Sequence, residues 1–308
     1  MAFLDVEHFL GLRGSDTWSD DGNETTVVVK TLIGEILTDY MPKVIPDIYL
    51  DFAKGLRPDD YVLTFNYDVL LERSLEAAGT PYRLFPSRYK TVNGMSATVD
   101  DSRSEVIVLK LHGSIDWFDR TQYSQREQAQ RDAGLKTPPG DPVFPYVKEL
   151  GITKLLEGPR FADDPLDQMY RVHDIAALYR RGVLFSAPPW LLAPSATKLV
   201  YASRIREFFY GMNGAGSMNF GLAIIGYSLP QQDAYARQIL YEIVTNYQEV
   251  DWDKDFYGVR KSPLLIVDFC PDNESLEVFK KRYRFVQWSR AVLHKSGFDM
   301  KAVAAAIG

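Results

Sequence analysis

Tyr61-Val62-Leu63-Thr64-Phe65-Asn66-Tyr67-Asp68 reads as a buried strand giving way to a polar turn. Asp68 then opens an amphipathic helix, in which Val69, Leu71, Leu75 and Ala78 recur on one face and Gly79 supplies the stop. Asn66 is therefore expected on the turn between a strand and a helix N-terminus, where exposed N–H groups and the helix dipole favour an anion or a polar ligand. A second predicted strand, Glu105–Leu111, leads into His112-Gly113. A third, Gly221–Gly226, ends in Gly226-Tyr227-Ser228-Leu229-Pro230. In an open α/β sheet the carboxyl ends of parallel strands converge on one crevice, and ligands bind there. Three strand ends with three polar signatures predict a chain that handles a nucleotide, with Asn66 and His112 as its reaction centre.

The rest of the chain fits that frame. Residues 14–25 are rich in Ser, Asp, Gly and Asn and read as a loop between helices over 5–12 and 27–40, with 45–55 continuing the helical layer. Residues 87–103 are polar and irregular, with a turn at Asn93-Gly94. No strand alternation stands out over 118–180, which reads as a helical insertion or cap within one domain spanning 1–308. A strand over 183–186, a helix over 199–210, a helix over 233–247, a strand over 264–269, a helix over 276–282 and a short strand near 285–287 complete the pattern. Strand and helix alternate, which predicts a Rossmann-like, doubly wound and mostly parallel sheet.

Together these motifs resemble the sirtuin-like family, most closely its bacterial branch of NAD-consuming antiphage defence proteins. Thr64-Phe65-Asn66-Tyr67-Asp68 is similar to the family's Thr-x-Asn-x-Asp motif, and Leu111-His112-Gly113-Ser114-Ile115-Asp116-Trp117 to its His-Gly segment. Ala187-Pro188-Pro189 with Lys198 resembles its Pro-Pro element, and Gly226-Tyr227-Ser228-Leu229-Pro230 with Asp233 its Gly-Tyr-Ser-Leu-Pro signature. The resemblance implies NAD as substrate and cleavage of the nicotinamide–ribose bond. It implies that Asn66 positions the nicotinamide ribose or the attacking water. It places Gly226, Tyr227 and Ser228 against the ADP-ribose part of NAD. It also implies a defence role in a homo-oligomer or beside a partner protein. The family's N-terminal strand and Gly-Ala-Gly-x-Ser phosphate loop are missing from the sequence. Two expectations stay open: a chain that starts after that strand, or a divergent member that binds its ligand another way. The alternative to an NAD hydrolase is a catalytically inactive nucleotide-binding or assembly subunit of a defence complex.

Gly214-Ala215-Gly216-Ser217 is not a replacement for that loop. A phosphate loop follows a strand and opens a helix, whereas this segment follows a predicted helix and precedes a strand.

Composition narrows the function classes. The single cysteine, Cys270, excludes an intrachain disulfide and a four-cysteine zinc site, and no histidine spacing suggests another metal. Deacylating sirtuins usually carry such a zinc module, so its absence points to the bacterial branch. The net charge of −6, from 35 basic and 41 acidic residues, argues against nucleic acid. The cluster Lys280-Lys281-Arg282-Tyr283-Arg284 sits at a predicted helix end, where cations are favoured anyway. No apolar run approaches the ~18–20 residues that span a bilayer. Met1–Glu7 carries acids rather than a signal segment, so a cytoplasmic location is expected.

Each candidate residue has a plain structural alternative. Asn66 is either a positioning group or a turn asparagine. His112 is either a general base, since imidazole exchanges protons near neutral pH, or a histidine packed beside Trp117. Asp68 is either part of the motif, with Thr64, or a helix cap. Gly113 belongs to the His-Gly motif. Asp116 and Trp117 line the pocket or close the turn. Asp272, in Cys270-Pro271-Asp272, stands near the strand end where relatives carry a ribose-binding Asn, and is a candidate acceptor for a ribose hydroxyl.

Overall fold

The computed structural model describes residues 24–58, 60–84, 89–93, 96–135, 147–157, 163–180, 188–192, 215–256 and 258–308. The chain divides into two compact units, one of residues 1–46 and 56–193, the other of residues 47–55 and 194–308.

The first unit holds helix α1 (Glu24–Asp39) and the parallel strands β1 (Tyr61–Thr64), β2 (Tyr82–Leu84) and β5 (Val106–Lys110), in the order β1-β5-β2. β5 is central and buried along its whole length, which is why it reads as an unbroken apolar run up to Lys110. Helix α3 (Leu70–Ala78) connects β1 to β2. It stops at Gly79, which takes φ +70°, while the Thr80 N–H reaches back to the Leu75 carbonyl at 2.9 Å.

The polar stretch after β2 is an antiparallel hairpin of β3 (Tyr89–Asn93) and β4 (Ser96–Val99) rather than irregular chain. Its pairing is a backbone matter that a polar sequence does not advertise. The stretch 118–180, read as helical, is mixed. It contains helices α4 (Thr121–Asp132), α5 (Val147–Leu150) and α6 (Ile175–Tyr179), but also β7 (Ile152–Lys154) and β8 (Met169–Val172). With β6 (Gly113–Asp119) and β9 (Pro189–Leu191) these form an antiparallel sheet in the order β7-β8-β6-β9. Strands of three and four residues are too short for alternation to show. A core of Val69, Ile115, Phe118, Leu150, Val172 and Leu178, among others, joins this sheet to its helices. The Tyr179 hydroxyl ties into it by donating to the Ile115 carbonyl at 2.7 Å.

The second unit holds α2 (Asp47–Gly55) and a parallel sheet, β10 (Ala223–Ile225), β11 (Leu264–Val267) and β12 (Ala291–His294). Helix α7 (Ala234–Glu249) lies between the first two strands in sequence, α8 (Asn273–Arg282) between the last two, and α9 (Met300–Ile307) follows. The strand expected near Phe285 comes later, as β12. Phe285 instead packs edge-on against Tyr241 at 5.8 Å, and Val286 is buried. Residues 215–218 form a turn ahead of β10, in keeping with a connector rather than a phosphate loop. The predicted elements over 5–12, 183–186 and 199–210 lie outside the described residues.

Parallel strands with helices between them make this a Rossmann-like α/β fold. No described helix is long and apolar enough to cross a membrane.

Candidate functional site

Thr64 stands beside Lys110 in the parallel register of β1 and β5, so residues 65–69 and 111–112 leave the sheet at the same edge. The first of these loops is held by its own neighbours. The Asn66 N–H donates to Thr64 Oγ1 at 3.1 Å, and the Leu70 N–H donates to Asp68 Oδ1 at 2.9 Å. The Tyr67 carbonyl accepts from the Ile115 N–H at 3.0 Å and from Ser114 Oγ at 3.3 Å. Thr64 and Asp68 thus satisfy nearby loop N–H groups. Asp68 stands one residue before Val69, the N-cap of α3, which has no side-chain cap hydrogen bond, so Asp68 braces the turn rather than capping the helix as expected. Asn66 is exposed, and among the described residues its side-chain amide makes no hydrogen bond. A turn asparagine spends its amide on nearby backbone. This one does not.

His112 is 3% exposed. Its ring lies 4.9 Å from that of Phe65 and 6.1 Å from that of Tyr67, so both neighbours of Asn66 in sequence pack on the imidazole. The expected ring partner, Trp117, stacks on Trp190 instead, at 6.3 Å. Backbone closes the arrangement. The Leu192 N–H donates to the His112 carbonyl at 2.8 Å, and the Tyr67 hydroxyl donates to the Leu192 carbonyl at 2.7 Å. Gly113 follows at φ +79°, and a Cβ there would run into the Trp190 carbonyl. Gly113→Ala should therefore lower the urea midpoint. A left-handed non-glycine residue costs about 1–2 kcal/mol, and forced overpacking ~1–3 kcal/mol more. An unchanged midpoint would show that the strand shifts freely.

Behind the loop lie buried charges, of which the sequence singled out Asp116 but not Lys110, Glu72 or Arg171. Lys110 Nζ sits 2.8 Å from Glu72 Oε1 and also donates to the Asp68 carbonyl; both side chains are essentially fully buried. Burial pushes the Glu72 carboxyl up, against the pull of Lys110. Asp116, 2% exposed, is held by Arg171 Nε at 2.7 Å, and Arg171 Nη1 donates to the Tyr82 hydroxyl at 2.7 Å. Burial alone would lower the Arg171 guanidinium, but Asp116 and Tyr82 beside it hold it above its ordinary value. Asp116, Arg171, Arg73, Glu76 and His173 line a cleft of about 480 Å³. The signals were present in the sequence. Lys110 ends an otherwise apolar strand, and Glu72 falls on the apolar face of α3, between Val69 and Leu75.

Burial, and then the neighbouring Arg171, lower the His173 pKa from 6.5, so the folded state favours neutral imidazole. The unfolded chain binds the proton more readily. The His173 contribution to stability is then present above about pH 6.5 and is lost as pH falls through the lower folded value. His173→Gln should flatten that part of the stability–pH curve measured by urea unfolding. An unaltered slope would remove His173 as its source.

In the second unit Gly226 takes φ +61° with open space around it, so its conformation rather than close packing calls for glycine. Its N–H donates to the Val267 carbonyl at 2.9 Å. The Tyr283 hydroxyl donates to the Tyr227 carbonyl at 2.7 Å, and Ser228 is exposed. Asp272 is the N-cap of α8, accepting from the Ser275 N–H at 2.7 Å in a capping box, a role the sequence reading did not give it. These hydrogen bonds to Ser275 hold its carboxyl below the usual range. Cys270 is buried. Among the described residues no three His, Cys, Asp or Glu side chains are grouped to hold a metal ion.

Parallel strands that deliver polar loops at a shared edge place the first unit in the Rossmann-like class, whose ligands sit at strand carboxyl ends. Within that class, residues 60–197 match the model of the SIR2-like domain family. The family takes NAD as its substrate. The match covers β1 through β9, and therefore Asn66 and His112; Gly226, Tyr227, Ser228 and Asp272 lie beyond it. A comparison with curated proteins found no match.

Proposed function

We propose that this chain hydrolyses NAD at the bond between nicotinamide and ribose. The carrying observation is the exposed amide of Asn66, unengaged among the described residues, in a turn where Thr64 and Asp68 rather than Asn66 hold the Asn66 and Leu70 N–H groups and whose two aromatic neighbours pack against the His112 ring. Nicotinamide leaves with the electron pair of the breaking C–N bond, and positive charge develops on the ribose as in glycoside cleavage. A water oxygen forms the new bond to the ribose carbon, and its proton passes to His112. Asn66 holds the ribose or that water in place. Burial of His112 keeps bulk solvent off the base, and the reaction needs one water only. The family resemblance adds a cytoplasmic role in bacterial defence against phage, in a homo-oligomer or with a partner protein.

Release of nicotinamide from NAD by the purified chain, alone and with candidate partner proteins, is the direct test. Absence of release under both conditions would overturn the proposal. Ser228, assigned by resemblance to the ADP-ribose part, gives a graded check: Ser228→Ala should raise Kd for NAD more than it lowers kcat. A change in kcat with unaltered affinity would reject that assignment.

A further inference from the structure

We propose that the buried Lys110–Glu72 pair is a positioning device for the reaction centre, fixing the Asn66 loop relative to His112. The inference rests on the NAD-hydrolysing reading of that centre.

Lys110 stands at the end of β5, two residues before His112. Its ammonium group reaches the carbonyl of Asp68, two residues after Asn66, and the carboxylate of Glu72 on α3. One side chain therefore joins three elements: the strand that delivers the base, the loop that delivers the positioning amide, and the helix that follows the loop. The lysine and glutamate side chains are 0% and 1% exposed. A buried ion pair is weak as a source of stability, because desolvating two charges offsets much of their attraction, and an apolar pair of similar volume often does as well. It gives direction instead. An ammonium group held by a carboxylate presents its remaining protons along fixed lines, and one of them fixes the loop carbonyl. Glu72 thus acts through Lys110, and Lys110 through the loop; neither is assigned contact with substrate. Thr64, Ser114 and Ile115 hold other atoms of the loop, while the Asp68 carbonyl is held by Lys110.

The test replaces both charges at once, with Lys110→Met and Glu72→Leu in one chain. A merely structural pair predicts that this apolar swap restores both folding and turnover. A positioning pair predicts a folded protein whose kcat falls about 10²-fold, the scale expected for a ~1 Å misplacement, with KM altered far less. Hydrogen exchange of the amides of residues 66–70 supplies a readout independent of turnover and should speed at least about tenfold, since those tethers then open more often. Turnover within about twofold of wild type, or unaltered exchange, would overturn the proposal. If wild type releases no nicotinamide, the NAD-hydrolysing reading fails by itself, and exchange alone then decides whether the pair fixes the loop. If the double variant does not fold, Glu72→Gln, which keeps shape and an acceptor oxygen, is judged by the same two readouts.

Discussion

Asn66→Ala and His112→Ala are each expected to lower nicotinamide release from NAD strongly while the chain stays folded. Removing a general base typically costs ~10²–10⁴-fold in rate. Losing a positioning group costs about as much, since the ribose and the water must meet in one geometry. The two substitutions should differ in what else they do. Asn66 is exposed and its amide bonds to nothing among the described residues, so its removal should leave the melting temperature within about 1–2 °C, an ordinary result for a surface change. His112 is buried against Phe65 and Tyr67, so its truncation leaves a gap as well as a missing base. Some loss of stability is expected there, and turnover must be expressed per folded molecule. His112→Gln, closer in volume, separates the two effects. Normal turnover in Asn66→Ala would remove that residue from the mechanism, because no fold defect could compensate. The purely structural alternative forecasts the reverse pattern, a lower melting temperature with the rate per folded molecule preserved.

The largest expected loss of stability follows from Arg171→Met. Asp116 is 2% exposed, its Oδ2 is paired with Arg171 at 2.7 Å, and its Oδ1 has no hydrogen-bond partner among the described residues. Taking the guanidinium away leaves a buried carboxylate uncompensated and strips the Tyr82 hydroxyl of its hydrogen bond to Arg171. Breaking one side of a buried pair costs about 3–5 kcal/mol, which should appear as a lower urea midpoint with the slope unchanged. Adding Asp116→Leu removes the stranded charge and should recover most of the loss. A single-variant cost below about 1 kcal/mol, typical of an exposed pair, would show that water reaches Asp116 in solution.

Legibility from the sequence tracked how each element is stabilised. β1 and the helix stop at Gly79 were readable because an apolar run and a left-handed glycine leave plain marks, although β1, expected to be buried, is only half-buried with Tyr61 exposed. β7 and β8 were not, since three and four residues cannot display a period. The β3–β4 hairpin was missed because its pairing is made by main chain. At the site, Asn66, Asp68 and His112 were found as motif letters, but the choice between their functional and structural readings needed coordinates. Only the hydrogen bonds show Asp68 accepting from the Leu70 N–H and, among the described residues, the Asn66 amide unbonded. Lys110, Glu72 and Arg171 were passed over for a different reason. A charge is read as surface by default, and burial of a paired charge leaves no trace in composition.

Leu192 has a consequence for how such a site can be mapped at all. It holds His112 through its N–H and Tyr67 through its C=O, and neither bond uses its side chain. Alanine scanning would score the position by lost packing alone and pass over its part in the site. Only a change to the main chain itself, proline in place of leucine or an ester in place of the amide, interrogates the donor. Part of what orients the imidazole is therefore invisible to side-chain genetics, and the residues that compose a motif understate the atoms that compose the site.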